Sequence, residues 1–299
     1  MHTLLILIGL WIAANLLHAV WVQSRRFCWE RRITRDADGL LPHAAAFSVG
    51  NGPTALLLIH GFADTPRIWK RMADGLASSG SLTCNAMRLP GSGQTAAQTR
   101  TQSLALWRQA IDKELDGLCA SHTNVWIVGH SLGAALAIDA ALRHDTISGV
   151  AAFAPMIKVS NRRSPLLPPA AWFRIASVAL CLSPTFESCF SAENAAVDDP
   201  SFTYMRDRFI PFCVYRGLFE LIRSNRKRAA RLQCPVFAAT AEYDAVVDTP
   251  AALRWLSCCP GSKRIRALKG IGHVIPLEIG WQSITDDLAS FIREQSSRK

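Results

Sequence analysis

Residues 124–141 read NVWIVGHSLGAALAIDAA and carry the clearest indication of the fold. The first half, NVWIVGH, is an apolar run without helical period and is typical of a buried strand. The second half, LGAALAIDAA, is rich in small, helix-forming residues. Between them Gly129, Ser131 and Gly133 form the pattern G-x-S-x-G, which is typical of a sharp strand-to-helix turn that exposes a serine. We therefore predict that Ser131 is a nucleophile.

Strands and helices are predicted to alternate on both sides of this turn. Apolar runs predict further strands at residues 54–60, 82–89, 147–155, 235–240 and 263–268. Apolar residues at helical spacing predict helices over residues 66–79, 103–120 and 283–293. This alternation predicts an α/β fold, with a mostly parallel, doubly wound sheet covered by helices on both faces.

The alternation stops between residues 156 and 233, where short apolar stretches are broken by Pro165, Pro168, Pro169, Pro184, Pro200 and Pro211. We predict an inserted helical cap or lid there, within a single domain spanning residues 36–299. Apolar side chains are frequent in the cap: Leu166, Leu167, Trp172, Phe173, Ile175, Phe186, Phe190, Phe202, Phe209, Phe212 and Phe219. They either bind an apolar group of a substrate or simply pack the cap on the core.

The N-terminal residues 3–22, TLLILIGLWIAANLLHAVWV, carry no formal charge. Twenty helical residues span roughly 30 Å, so this run predicts a transmembrane helix, with residues 1–35 forming an anchor and a basic linker. A cleaved signal peptide is the alternative, although no Lys or Arg precedes the run and no A-x-A site ends it. Five arginines follow the run and favour a cytoplasmic catalytic domain over a periplasmic or secreted one: Arg25, Arg26, Arg31, Arg32 and Arg35.

The formal net charge of +10 is unevenly distributed along the chain. Residues 1–35 and 156–233 hold the excess of basic residues, and the rest of the chain is balanced. Nucleic-acid binding is disfavoured because the balanced part contains no recognition motif. The basic residues of the cap either face anionic lipid head groups or form a solvated surface.

Nine cysteines are scattered along the chain, and none has the spacing of a metal site. We interpret them as buried thiols in a reducing compartment. The adjacent Cys258 and Cys259 are poor disulfide partners on geometric grounds.

A serine nucleophile needs a histidine base and an orienting carboxylate, which follow it in the order acid, then histidine. Asp244 follows the strand predicted at 235–240, and His273 follows the one predicted at 263–268. Asp248 is a competing acid, yet the sequence DTP also reads as a helix start in which Asp248 or Thr249 caps the helix and Pro250 opens it. We therefore favour Asp244 as the acid.

Backbone N–H groups are predicted to stabilise the negatively charged oxygen of the reaction intermediate. One comes from the residue after the nucleophile, Leu132, and the other from the loop after the first buried strand, at Phe62. His60 precedes that loop, and chain order predicts a structural role for it.

Five segments in order resemble the α/β-hydrolase superfamily, and its bacterial carboxylesterase and monoacylglycerol lipase branch in particular. They are HGFADTPRIW, RLPGSGQT, GHSLG, EYDAVVD and GIGHVIP, within residues 50–295. The resemblance implies an α/β-hydrolase fold, no cofactor or metal, and a Ser131–Asp244–His273 triad with Phe62 and Leu132 as oxyanion donors. Ser92 departs from the histidine that many relatives carry between the glycines of the second segment.

We therefore expect a serine hydrolase that cleaves carboxylic esters, such as an acyl-glycerol or another lipid-like ester, through an acyl-enzyme on Ser131. Acyltransferase, peptidase or other activities on the same fold remain alternatives, as does a catalytically silent, membrane-tethered scaffold. The sequence leaves the oligomeric state open.

Overall fold

A computed structural model describes residues 2–162, 164, 166–188, 202 and 205–297. The central sheet has seven strands in the order β1-β3-β2-β4-β5-β8-β9, and β1 alone runs antiparallel to its neighbour. Its strands are β1 Phe47–Val49, β2 Thr54–Ile59, β3 Leu82–Met87, β4 Asn124–His130, β5 Gly149–Phe153, β8 Val236–Ala241 and β9 Lys263–Leu268. A separate antiparallel pair consists of β6 Thr185–Glu187 and β7 Phe209–Pro211.

The helices follow the predicted alternation and add one at the N-terminus. They are α1 His2–Glu30, α2 Lys70–Ala77, α3 Ala96–Thr99, α4 Leu104–Ser121, α5 Leu132–Ala141, α6 Pro169–Ala179, α7 Phe212–Asn225, α8 Thr249–Ser257 and α9 Trp281–Ser296. The predicted α/β-hydrolase fold is confirmed.

Strand β2 contributes side chains to the hydrophobic cores on both faces of the sheet. Successive side chains of a strand point to opposite faces of the sheet. Leu57 therefore packs with α4 and α5 on one face, whereas Leu56 and Leu58 pack with α2 and α9 on the other. A strand buried on both faces has no polar side to alternate, which is why its sequence is continuously apolar.

The described part of the cap contains helices, as predicted, and also a short strand pair that was not predicted. This part contains α6 and α7, and the antiparallel strands β6 and β7 lie between those helices. Each strand has three residues, too few for a hydrophobic alternation to be read from the sequence. Three residues named above for the cap lie outside the described residues: Pro165, Phe190 and Pro200.

Helix α1 is long and mostly exposed. Its most apolar stretch of 18 residues has a mean hydropathy of 2.1 and is 11% buried. By length and composition α1 is able to cross a membrane. A membrane anchor and a signal sequence both have these properties. The helix continues past the apolar run to Glu30 and contacts the cap, at Ala179 and Glu187 among other residues.

Strand β9 forms one edge of the sheet, and its side chains are alternately exposed and half-buried. Arg264 pairs with Asp287 and Glu294 of α9 at 3.1 and 2.8 Å, and Arg266 pairs with Asp287 at 2.5 Å. Helix α9 is thus attached to the edge strand by ion pairs as well as by its apolar face.

The cysteines differ from the sequence interpretation. Of the cysteines that the structure describes, Cys84 and Cys259 are buried, and four are exposed: Cys28, Cys119, Cys181 and Cys258. All the cysteines that the structure describes are free thiols. Burial therefore does not account for the cysteine content of this chain.

Candidate active site

The serine of the G-x-S-x-G motif lies at the junction of β4 and α5. Ser131 has a φ of +56°, a conformation that costs a residue with a Cβ about 1–3 kcal/mol. Two glycines make the turn possible. A Cβ on Gly129 would lie 2.1 Å from the carbonyl oxygen of Gly133, and one on Gly133 would lie 2.1 Å from that of Ile59. The turn is therefore packed directly against the carboxyl end of β2.

Three side chains predicted from the sequence meet above this turn. The Oγ of Ser131 lies 3.0 Å from Nε2 of His273, and Nδ1 of His273 lies 2.7 Å from Oδ2 of Asp244. Asp244 follows β8 and His273 follows β9, so the carboxyl ends of parallel strands bring them to one edge of the sheet. A hydroxyl bonded to an imidazole that is itself bonded to a carboxylate is the arrangement that activates a serine nucleophile.

The two competing carboxylates have different partners. Besides His273, Asp244 accepts hydrogen bonds from two backbone N–H groups of the following turn, at 2.7 and 2.9 Å. Asp248 accepts one from the N–H of Ala251 at 2.9 Å and caps the start of α8. Lys158 also binds Asp248, at 2.7 Å. The carboxylate within reach of the histidine is therefore that of Asp244.

The electrostatic environment keeps Asp244 ionised. Burial alone raises the pKa of this carboxyl, but the neighbouring His273 and hydrogen bonds from that ring and from the backbone have the larger combined effect. The pKa of Asp244 is therefore below its ordinary value. An ionised carboxylate at this position orients the imidazole and stabilises its protonated form.

Two further histidines lie below the site and are neutral. His130 donates from Nε2 to the carbonyl oxygen of His273 at 2.9 Å, and burial together with the nearby His273 lowers its pKa to about 3. His60 donates from Nδ1 to the carbonyl oxygen of Gly61 and accepts from the N–H of Leu89, at 3.0 and 3.1 Å. Burial lowers the pKa of His60 to about 4. Both rings bond backbone groups of loops that surround the serine.

No pattern in the sequence indicates that His130 contacts His273. In the motif it stands at a variable position, and only the fold brings it beside the histidine loop. A close pairing of two histidine rings, 4.9 Å apart between centroids, signals this contact in the structure.

Of the predicted oxyanion donors, Leu132 directly follows Ser131, and Phe62 lines the same cavity as Ser131. Leu132 is the first residue of α5, where backbone N–H groups have no partner within the helix. Phe62 lies in the loop after β2 and is held by the cap: Arg206 donates to its carbonyl oxygen at 2.8 Å. The N–H of Asp207 donates to the next carbonyl oxygen, that of Ala63, at 2.9 Å. The role of Phe62 and Leu132 as donors stays a prediction.

A cavity of about 680 Å³ lies between the serine and the cap. This volume is within the range of small-molecule sites. Ser131 and His273 line it together with mainly apolar side chains, which include Phe62, Met156, Trp172, Phe173, Phe186, Leu218 and Phe219. The aromatic side chains of the cap also pack on each other, as Phe186 and Phe212 do with ring centroids 4.3 Å apart. They therefore both hold the cap together and form the wall of the cavity.

The basic residues of the cap do not form one surface. Arg206 and Arg208 precede α7, and five further basic residues lie at its far end, about 20 Å away for a helix of 14 residues: Arg223, Arg226, Lys227, Arg228 and Arg231. Within the described ranges, no group of three or more His, Cys, Asp or Glu side chains is placed to hold a metal ion.

A mostly parallel sheet with a serine on a strained strand-to-helix turn, and with an acid and a histidine after later strands, defines the α/β-hydrolase class. Residues 53–280 match the family model Hydrolase_4, described as serine aminopeptidase, S33. The chain belongs to this family.

Similar proteins include several lipases. The thermostable monoacylglycerol lipase of Bacillus sp. (strain H-257) is 22% identical over 228 residues, which cover 69% of this chain and 91% of the lipase. A structure described with the metagenome-derived lipolytic enzymes LipS and LipT has a TM-score of 0.71 at 19% identity, over 85% of this chain and 99% of the other.

The monoacylglycerol lipase of Paleococcus ferrophilus has a TM-score of 0.68 at 20% identity, over 82% of this chain and 98% of the lipase. At these identities the structures show the fold. Together with the family match, they confirm the resemblance found in the sequence: the chain is an α/β hydrolase of the lipase and esterase type.

Proposed function

We propose that this chain hydrolyses carboxylic esters, with Ser131 as nucleophile, His273 as general base and acid, and Asp244 as the orienting carboxylate. The main support is the pair of short distances that joins these side chains, 3.0 Å from the Oγ of Ser131 to Nε2 of His273 and 2.7 Å from Nδ1 of His273 to Oδ2 of Asp244. The adjoining apolar cavity supports an ester with a lipid-like acyl group, such as an acyl-glycerol.

In this mechanism the Oγ of Ser131 attacks the ester carbonyl carbon while its proton passes to Nε2 of His273. The N–H groups of Leu132 and Phe62 stabilise the charge on the carbonyl oxygen. The C–O bond to the alcohol then breaks, the alcohol takes the proton from His273, and the acyl group stays on Ser131. Water attacks this acyl-enzyme, His273 takes a proton from the water and returns it to Ser131, and the carboxylic acid leaves.

The test is hydrolysis of p-nitrophenyl esters from acetate to palmitate, and of a monoacylglycerol, by the full chain in detergent. We expect turnover that Ser131→Ala abolishes, and covalent labelling of Ser131 by a fluorophosphonate. A folded protein that labels but turns over no ester would contradict ester hydrolysis. Acyl transfer is then tested by product analysis with an added alcohol. A folded protein that neither reacts with the fluorophosphonate nor turns over any substrate would be a scaffold.

An aminopeptidase is the second candidate, because the family description names that activity. A substrate α-amino group needs a negative partner, and Glu187 lines the cavity. However, its carboxylate already pairs with Arg25 at 2.5 Å and with Arg208 at 2.7 Å. This pairing favours the ester. Release of p-nitroaniline from aminoacyl-p-nitroanilides at rates above those for any ester would show that the chain is an aminopeptidase in preference to an esterase.

We also propose that residues 3–22 anchor the chain in a membrane as a single span, with residues 36–299 as a cytoplasmic hydrolase domain capped by residues 156–233. The uncharged run and the arginines that follow it support this topology. The chain should stay in the membrane fraction at alkaline pH, and externally added protease should leave the domain intact in sealed cells. A mature protein lacking the first residues would indicate a signal peptide instead.

A further inference from the structure

Helix α1 is joined to the cap by a set of polar side chains in its apolar run. The Nε1 of Trp11 and the Nδ2 of Asn15 both donate to the carbonyl oxygen of Ala179, the last residue of α6, at 2.9 and 2.7 Å. The N–H of Leu182 donates back to Oδ1 of Asn15 at 3.3 Å. Asn15 is 1% exposed, in a helix that is otherwise almost entirely exposed.

The same face of α1 holds the cap further along the helix. His18 bonds Ser183 at 2.8 Å, and Arg25 pairs with Glu187 of β6. Trp29 packs on Phe209 of β7 with ring centroids 5.8 Å apart. The contacts therefore extend from residue 11 to residue 29, about 27 Å along the helix axis.

This attachment fixes the depth of the cap relative to the apolar run. Asn15 lies seven residues before Val22, where the uncharged run ends, so it is about 10 Å inside the hydrocarbon if the run spans a membrane. An amide there needs a hydrogen-bonding partner, since lipid offers none. Its partners are the end of α6 and the following turn, which must then lie at the same depth.

Helix α6 has the composition that this depth requires. Residues 166–183 contain one formally charged residue, Arg174. Apart from Arg174, which is exposed on the same face as Val178, the outer side chains of this segment are mainly apolar, with Val178 73% exposed and Leu166 82% exposed. On its inner side Phe173 and Ala176 line the cavity. One helix thus separates the cavity from whatever covers the outer face.

We infer that α6 and the turn to Leu182 are embedded in the membrane leaflet that holds the second half of α1, and that the cavity opens toward lipid. The occupant of the exposed α6 face is the bilayer, because this face is continuous with the apolar run through the Asn15 contact. The inference rests on the proposed anchor and adds the route by which an apolar ester reaches Ser131.

Native cysteines offer a test that does not depend on catalysis. Cys181 lies in the turn after α6 and Cys258 at the end of α8, and both are exposed. In nanodiscs of phosphatidylcholine, two full-length variants each keep one of these as the sole exposed cysteine and react with a charged, water-soluble maleimide. We expect Cys181 to react about tenfold or more slowly than Cys258, because maleimide needs a hydrated thiolate. Equal rates would overturn the inference, whether or not the chain is an esterase.

A second variant tests the role of the α1–α6 contact. Trp11→Phe with Asn15→Leu keeps α1 apolar and removes its hydrogen bonds to Ala179 and Leu182. We expect Cys181 labelling to approach the rate of Cys258, and turnover of a bilayer-embedded monoacylglycerol to fall relative to that of soluble p-nitrophenyl acetate. Leu17→Ala, on the exposed side of α1, is the matched control and should change neither. Unchanged labelling in the double variant would show that the contact does not hold α6 in the leaflet.

Discussion

The serine turn and the contact between α1 and α6 are both held by short polar and steric contacts, yet they differ in how far apart their residues lie in the chain. The turn is made by five consecutive residues and packs against one neighbouring strand. The contact joins Asn15 to Ala179, 164 residues later. A geometry built from consecutive residues leaves a motif in the sequence, whereas one built from single distant side chains does not.

The largest expected effect removes the nucleophile from the turn. Ser131→Ala should lower kcat for ester hydrolysis by about 10³-fold or more, because the acyl-enzyme has no other oxygen on which to form. Ser160→Ala is the control, since Ser160 also lines the cavity. Its activity should stay near that of the wild type. Similar losses in the two variants would mean that the cavity, and not the turn, carries the activity.

The two carboxylates provide the next test. Asp244→Asn should lower kcat by about 10³–10⁴-fold, because the amide supports the wrong histidine tautomer. Asp248→Ala should leave kcat unchanged and lower the free energy of unfolding by about 1 kcal/mol through loss of the α8 cap. Steady-state kinetics of both variants measure kcat, and urea denaturation measures their free energies of unfolding. A large loss of kcat in the Asp248 variant would indicate that Asp248, and not Asp244, is the carboxylate that orients His273.

The glycines of the turn have a smaller effect, on stability. Gly133→Ala places a Cβ 2.1 Å from the backbone of β2, so we expect unfolding to become easier by about 3 kcal/mol or more. Gly117→Ala on α4 is the matched control, because nothing lies within 4 Å of its added Cβ. That variant should be neutral or up to about 1 kcal/mol more stable. Thermal denaturation compares the two; equal shifts would contradict the close packing of the turn.

The last effect concerns pH and leaves stability at neutral pH almost unchanged. His60 has a folded-state pKa of about 4, below its ordinary value of 6.5. The unfolded chain therefore binds a proton first, and the stability from the neutral ring, present above about pH 6.5, is lost as pH falls toward 4. Within that window the contribution of His60 to the free energy of unfolding falls by about 1.4 kcal/mol for each unit of pH. His60→Asn should flatten the pH dependence of unfolding by this amount, and an unchanged slope would contradict the buried neutral ring.

Much of the fold and of the candidate site could be predicted because local patterns report local structure. The strand before Ser131 and the helix after it appear in the sequence as a change from an apolar run to small helix formers. Asp244 could be separated from Asp248 because the sequence DTP identifies a helix cap, and the structure has that cap. These features depend on residues within a few positions of one another.

The parts that could not be predicted depend on long-range contacts. Strands β6 and β7 have three residues each and exist only because they pair with each other across the cap. Asn15 reads as an ordinary polar interruption of an apolar run, with nothing in its neighbourhood to indicate the end of α6 as its partner. His130 likewise stands in a variable position of the motif until the fold places it against the histidine loop.

The charged edge strand β9 has a consequence if the chain is held at a membrane surface by the anchor proposed above. Confinement to two dimensions raises the frequency with which neighbouring copies meet, and an open strand edge is a template on which they aggregate. Lys263, Arg264 and Arg266 place charged side chains along this edge, and a second copy that paired with it would have to remove water from them and disturb the ion pairs of Arg264 and Arg266 with α9. Crowded copies of the chain are thereby kept from polymerising through their sheets.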